Sequence, residues 1–455
     1  MSEPPAREAA ELVERIWERD PTVWTGHDEA QWVGWLDEPL RMRERVAELT
    51  EFAAGVAQDV DDVVLLGMGG SSLAPEVLRR AFERDRFHVL DTTHPVAIRR
   101  LADGLDFDRT LFVAASKSGT TLETRSHLDF FWERAGKRGA QFAAITDPGS
   151  QLEQVARERG FRAVFSGEPT IGGRYSALSA FGLVAAALMG VDLGGLLDRA
   201  EAMLNACRVA DDNPGLTLGL ALGHAWEEGR DKVLISPNRY GFGLWVEQLL
   251  AESTGKEGKG LVPAPDETAA GPDRQLHEVL LDDPYDLGSE FYRWEFATAV
   301  AGAILGINPF DQPNVQEAKD RTSEILASGQ DPVNEPESSV EELLAQARPG
   351  DYIAIQAFVD PAAEERLQPL VVRARETGCV VTLGLGPRYL HSTGQLHKGG
   401  APIGCFLQVV DDTGAELPIP GKKFGFGRLI RAQAAGDYAA LKERGRPVAR
   451  VRLED

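Results

Sequence analysis

Apolar positions change their period several times along the chain, and each change marks an element. Residues 1–60 carry helical spacing, with Leu12 and Ile16, then Leu40, Val46, Leu49 and Phe52. Val63 to Leu66 is instead a short continuous apolar run, the signature of a strand buried on both faces. It meets a Gly–Ser turn and then a helix carrying Leu73, Val77, Leu78 and Phe82. The same unit recurs at FHVLDTTHP, at TLFVAASKSGTTLETRSHLDFFWERAG and at AQFAAITDPGSQLEQVARERG. Strand, small-residue turn and helix in repetition predict a parallel sheet with helices on both faces.

An Ala- and Leu-rich helical stretch, about 177–210, separates this region from a second alternation. There DKVLISPN reads as a strand, and FGLWVEQLLAESTG and SEFYRWEFATAVAGAILG read as helices. The Gly/Pro-rich segment GKEGKGLVPAPDETAAGPDR between those helices predicts a long surface loop. Beyond ASGQDPVNEPESS come the strands DYIAIQAFV, CVVTLGLG and CFLQVV, with a helix at about 361–376. The fold class is therefore α/β, with two doubly wound parallel-sheet domains and helical N-terminal and α/β C-terminal extensions. The boundaries fall as a helical arm (1–55), a first domain (56–205), a second domain (206–330) and a C-terminal portion (331–455).

Charge narrows the function. Seventy-one acidic against 48 basic residues give a formal charge of −23, which argues against wrapping nucleic acid or docking on an anionic membrane. It leaves room for a small anion in a locally positive pocket. Cys207, Cys379 and Cys405 are too few and too scattered for a disulfide framework or a zinc cluster, which fits a reducing cytoplasm. The charged N-terminus lacks the apolar core of a secretory signal. The uncharged stretch Tyr175 to Val191 falls short of the roughly 20 apolar residues of a spanning helix.

In an open parallel sheet, ligands bind beyond the carboxyl ends of the strands. Two turns stand there. GMGGSS (67–72) and SKSGTT (116–121) each place backbone N–H groups and hydroxyls at a helix N-terminus, which makes an anion cradle. Gly, Ser and Thr are also ordinary turn and cap residues, so the first turn alone is equally well a structural feature. The second carries four hydroxyls and a lysine, more than a cap requires. Neither has dinucleotide or Walker spacing, so the pair points to a small phosphorylated ligand.

GMGGSSLAP, SKSGTTLET, GGRYSALSAFG, AESTGK and NPFDQPNVQEAK resemble, in that order, the motifs of the phosphoglucose isomerase family, whose members are built from two sugar-isomerase (SIS-type) domains. The resemblance covers about residues 60–325, and the WLDEP and STGQLHKGG segments look most like the isomerase half of transaldolase–phosphoglucose isomerase fusions. It implies a metal-free, cofactor-free, dimeric and cytoplasmic enzyme interconverting glucose 6-phosphate and fructose 6-phosphate through a cis-enediol. Glu252 matches the family's base, and Gln248, one helical turn earlier, shares its face. Arg174 matches the cation that steadies the enediolate. Ser116, Lys117, Ser118 and Thr121 match the phosphate ligands, and Gly69, Gly70 and Ser71 fall at the other sugar-contacting turn. Gln312 and Lys319 match the late pair, the lysine being associated with ring opening.

One departure stands out. The family's ring-opening histidine lies between the base motif and the NPFDQ-like motif, where this chain has only His277 in an unmatched context. His391 and His397, in HSTGQLHKGG, are the substitutes the sequence offers, and exposed loop histidines are the plain alternative. Two other functions share the same motifs: a dual phosphoglucose/phosphomannose isomerase, and a non-catalytic sugar-phosphate sensor. The second has no need of Glu252 or Arg174, and would typically carry a basic DNA-binding helix-turn-helix that this acidic chain does not show.

Overall fold

The computed structural model describes residues 6–332 and 334–453. The first five residues of the expected N-terminal helical arm, with Val333, Glu454 and Asp455, lie outside the described residues. The arm forms α1 (Ala6–Trp17) and α2 (Glu38–Val56), separated by three single-turn 3-10 segments. A five-stranded sheet follows: β1 (Asp62–Leu66), α3 (Leu73–Ala81), β2 (Phe87–Leu90), α4 (Pro95–Gly104), β3 (Thr110–Ala115), α5 (Leu122–Arg134), β4 (Phe142–Thr146), α6 (Gln151–Glu158) and β5 (Ala163–Ser166). All its strands are parallel, in the order β2-β1-β3-β4-β5. The reversal of strand order beside β1 puts the switch point between β1 and β3, where the two Gly/Ser/Thr turns emerge.

The continuous apolar runs are explained by burial on both faces. In β1, Val63 and Leu65 join one core while Val64 and Leu66 join the other. On one side lie α3 and the Ala-rich helices α7 (Ala180–Leu188) and α8 (Leu193–Ala206). On the other side, Phe112, Phe131 and Phe142 stack at 4.8 and 5.2 Å between centroids.

The second alternation gives α9 (Pro214–Glu227), β6 (Lys232–Ser236), α10 (Phe242–Thr254), β7 (Val262–Pro263), β8 (Arg274–Glu278), α11 (Leu287–Leu305) and α12 (Val315–Ala327). Its sheet has three parallel strands in the order β7-β6-β8. The Gly/Pro-rich segment is not wholly a surface loop, because residues 260–265 are buried and Pro263 pairs with Val233. Gly and Pro there mark a tightly packed crossing rather than exposure. The third portion holds α13 (Val340–Leu344), β9 (Tyr352–Phe358), α14 (Gln368–Arg375), β10 (Val380–Leu385), α15 (Gly394–Gly399), β11 (Gly404–Val410), α16 (Phe426–Glu443) and β12 (Val448–Arg452). These strands form a separate parallel sheet, β10-β9-β11-β12.

The third portion reaches back to the first sheet through α16. Phe426 and Leu429 enter the core formed by Phe112, Phe131 and Phe142. Among the described residues no helix is long and apolar enough to cross a membrane.

Candidate active site

A cleft of about 380 Å³ opens at the carboxyl ends of β1 and β3. It gathers both small-residue turns, Arg174, Gln248, Glu252, Gln312, Lys319 and His391, segments spread over more than three hundred residues of chain. A second cleft of about 260 Å³ adjoins it, and Ser118, Thr121, Lys319 and His391 line both.

The turn at 67–72 has to be glycine-rich because three segments meet on it. A Cβ on Gly70 would lie 2.0 Å from the Gly173 carbonyl oxygen. Gly69 adopts φ +56°, and a Cβ there would lie 2.6 Å from the His391 carbonyl and 2.9 Å from Gln248 Nε2. These contacts bring the turns carrying Ser71, Arg174 and His391 against one another.

In the second turn, Ser116 is buried, and its Oγ lies 3.0 Å from Thr121 Oγ1 and accepts the Gly119 N–H. Ser118 and Thr120 hydroxyls bond each other at 2.7 Å. The turn leads directly into α5, so the positive end of that helix faces the same space. Lys117 lines the cleft, but its ammonium is held by Asp147 at 2.7 Å and by the Glu168 carbonyl at 3.0 Å. Its charge therefore braces the turn.

Arg174 is almost fully enclosed, and every guanidinium nitrogen is occupied. Nε donates to Ser253 Oγ (2.8 Å), Nη1 to Gln312 Oε1 (2.8 Å), and Nη2 to the carbonyls of Pro309 and Asp311 (both 2.9 Å). Nη1 also stands 3.7 Å from Glu252 Oε1. Glu252 sits near the C-terminus of α10, and Gln248, one turn earlier, donates from Nε2 to Glu252 Oε2 and to the His391 carbonyl, both at 2.9 Å. The base candidate is thus oriented by an amide and faces a fixed cation.

Four contributors were not visible as site residues in the sequence. Lys256 is buried, and its Nζ bonds the Asn308 carbonyl and Asp311, pinning the loop that carries Gln312. Burial first, then the neighbouring Arg174 charge, lower its pKa to about 8 against the pull of Asp311. Asp28 and Trp32 of the N-terminal arm line the cleft, and Asn308 Nδ2 ties Asp28 to the same loop at 3.0 Å. Glu123, in the first turn of α5, accepts from His391 Nε2 at 2.9 Å and lines the second cleft. Burial would raise its pKa, but the His391 imidazole above all, with Lys319 further away, brings it down to about 2. Glu123 sits in SKSGTTLET, where an acid in a first helical turn reads as a dipole partner.

The two late histidines part company. His391 lies at the junction of both clefts. His397 does not reach them: it is buried among Tyr352, Tyr389 and Phe406, with Nδ1 3.0 Å from Gln356 Nε2. Burial, then Lys398, drives its pKa well below that of free imidazole. A proton donor cannot work from inside that aromatic cage, so the expected pair reduces to His391. His277 lies on β8 and lines neither cleft.

A model of the protein family described as phosphoglucose isomerase matches residues 36–257. The chain is 34% identical over 267 residues to the glucose-6-phosphate isomerase of Gloeothece citriformis, covering 50% of each chain. It is 38% identical over 215 residues to that of Acaryochloris marina, covering 43% of this chain and 40% of the other. The chain thus spans about half the length of the curated relatives it matches. Among solved structures, a hypothetical protein of Thermus thermophilus superposes with a TM-score of 0.51 at 22% identity, covering 98% of this chain and 83% of that one. A glucose-6-phosphate isomerase from Chlamydia trachomatis gives 0.53 at 20% identity, covering 70% and 78%. Those two likenesses speak to the fold. The matched segment holds both cradle turns, Arg174, Gln248 and Glu252, so the part of the chain that builds most of the cleft is the part similar to the phosphoglucose isomerase family.

Proposed function

We propose that the protein is an aldose–ketose isomerase that interconverts glucose 6-phosphate and fructose 6-phosphate. The carrying observation is the placement of Glu252, hydrogen-bonded by Gln248 and facing Arg174, across one cleft from the hydroxyl turn 116–121.

The turn and the N-terminus of α5 receive the phosphate, with Ser116, Ser118 and Thr121 as hydroxyl ligands and Lys117 holding the turn in shape. This fixes the sugar's C1–C2 end toward Glu252. Ring opening needs a proton delivered to the ring oxygen and one removed from the anomeric hydroxyl. His391 supplies the acid to the ring oxygen, and as the C1–O5 bond breaks the anomeric hydroxyl releases its proton to water and becomes the C1 carbonyl. A carboxylate only accepts, so the bond to Glu123 places a hydrogen on Nε2, and the protonated ring donates through Nδ1. Lys319, on the rim shared by both clefts, steadies the phosphorylated open chain. Glu252 then takes the proton from C2, and the electron pair moves to form the C1–C2 double bond of a cis-enediolate. Arg174 stabilises the negative charge on the enediolate oxygen without moving, because its donors are already fixed. The proton on O2 passes to O1, and the same carboxyl returns its proton to C1 as the C2–O bond becomes the carbonyl of the ketose.

The test is a coupled assay of fructose 6-phosphate conversion, with chelator present, for the wild type and Glu252→Gln. Turnover insensitive to chelator, and at least ~10²-fold lower in the variant, supports the mechanism. Sugar phosphate binding with no turnover by the wild type overturns it. The same reading makes the protein a cytoplasmic homodimer, which sedimentation of the purified chain checks in its oligomeric part.

A further inference from the structure

The His391–Glu123 pair is assembled from two distant segments, and one face of α16 touches both. Gln433 is buried, and its Nε2 donates to Glu123 Oε1 at 2.7 Å. The Thr93 hydroxyl donates to Gln433 Oε1 at 2.7 Å, which fixes which end of the amide faces the carboxylate. Four residues later on the same face, Asp437 accepts from Tyr389 OH at 2.6 Å and pairs with buried Lys398 at 2.5 Å. Tyr389 belongs to the same 3-10 turn as His391. The helix therefore grips the glutamate with one side chain and the histidine's turn with the next.

We propose that Gln433 is a positioning residue for ring opening: it holds Glu123 in register with His391, so that the C-terminal portion completes the active site. This rests on the isomerase reading above. A carboxylate has several acceptor positions and, free to rotate, would present either oxygen to the imidazole. With Gln433 bonded to Oε1, Glu123 keeps that oxygen between the amide and the imidazole. Gln433 touches no reacting atom, and its effect passes through Glu123.

The experiment isolates ring opening from proton transfer. Glu252→Gln removes the base, yet the enzyme retains the groups that open the ring. NMR exchange spectroscopy then reads the rate at which the protein interconverts the α and β anomers of glucose 6-phosphate. In that background Gln433→Leu is expected to slow anomer exchange by about tenfold or more, part of the 10²–10⁴ a positioned acid supplies, with substrate affinity within about twofold.

A second variant guards against a folding defect. Gln433→Glu is isosteric, and while protonated it donates to Glu123 as the amide does. Glu123 is also faced by His391, Lys319 and His127. Two carboxyls in bond contact share one proton, so ionising the new one disrupts the pair. Anomer exchange in this variant should match its parent at acid pH and fall as pH rises toward 8. Two outcomes overturn the inference: Gln433→Leu exchanging anomers within twofold of its parent, or Gln433→Glu following the parent's pH profile. A wild type that isomerises while Glu252→Gln shows no anomer exchange overturns the inference and leaves the isomerase reading standing. A wild type that does not isomerise overturns both.

Discussion

Arg174 is constrained at every nitrogen, so its position is as specified as its charge. Lysine offers one ammonium in place of a planar fork, and cannot reach Ser253, Gln312 and the two carbonyls together. Arg174→Lys is therefore expected to lower kcat by roughly 10²-fold or more, a loss of the size seen when one oxyanion-stabilising donor is removed. Steady-state kinetics check this, and near-normal kcat would show that charge alone suffices. Gly70 presents the complementary case, where a residue is specified by what must not be there. A methyl group 2.0 Å from the Gly173 carbonyl forces apart the turns that carry Ser71 and Arg174. Gly70→Ala is expected to destabilise by about 1–3 kcal/mol, the usual cost of overpacking, and to depress activity more than a purely remote substitution would. A thermal melt read beside kcat/KM decides it.

At the scale of elements, legibility followed locality. The strands of the first sheet and the turns at 67–72 and 116–121 are written in contiguous residues, and the sequence placed them closely. What failed depended on distant partners. The segment around Val262–Pro263 has the composition of a loop, and only pairing with β6 buries it. His391 and His397 stand six residues apart in the same polar turn, yet one ends a 3-10 turn at the cleft while the other lies in α15 against Tyr352 and Phe406. Glu123 reads as a helix-start acid until His391 arrives from 268 positions away.

The helix that unites these parts, α16, also depends on a distant cap. Glu416 accepts the backbone N–H of Gly427 through Oε1 (2.7 Å) and that of Arg428 through Oε2 (3.0 Å), satisfying two orphan donors of the first turn. No side chain of the N-cap residue Gly425 can do so. Glu416→Ala is expected to lower stability by about 1 kcal/mol, the common loss for a cap. Denaturant titration of both proteins measures it, and an unchanged midpoint would place the helix's stability in its packed face alone.

For the molecule as a whole, α10 is the joint between the candidate cleft and the C-terminal sheet. Gln248 and Glu252 face the cleft, while Glu247 turns the other way, into a small cavity shared with Gln356, Arg388 and His397. Burial first, and then Asp266, raise the Glu247 pKa to about 8, with Arg388 opposing. The folded protein thus holds a proton on Glu247 at neutral pH that the unfolded chain has released. With more protons bound when folded, stability falls as pH rises from about 4.5 to about 8 and flattens above. His127, lowered to about 4 by burial, acts in the other direction, since its unfolded form takes up a proton first as pH drops below 6.5. The two contributions make opposite slopes, so substitution separates them. Glu247→Gln keeps the shape and loses the titration. Its melting temperature relative to wild type is expected to climb steadily between pH 4.5 and 8, reaching on the order of 1–3 kcal/mol of relative stabilisation once partial solvent contact is discounted. Melting curves across that range provide the measurement. A difference that does not vary with pH would mean that Glu247 is ionised in the fold, and that the joint between cleft and C-terminal sheet is wetter than its geometry implies.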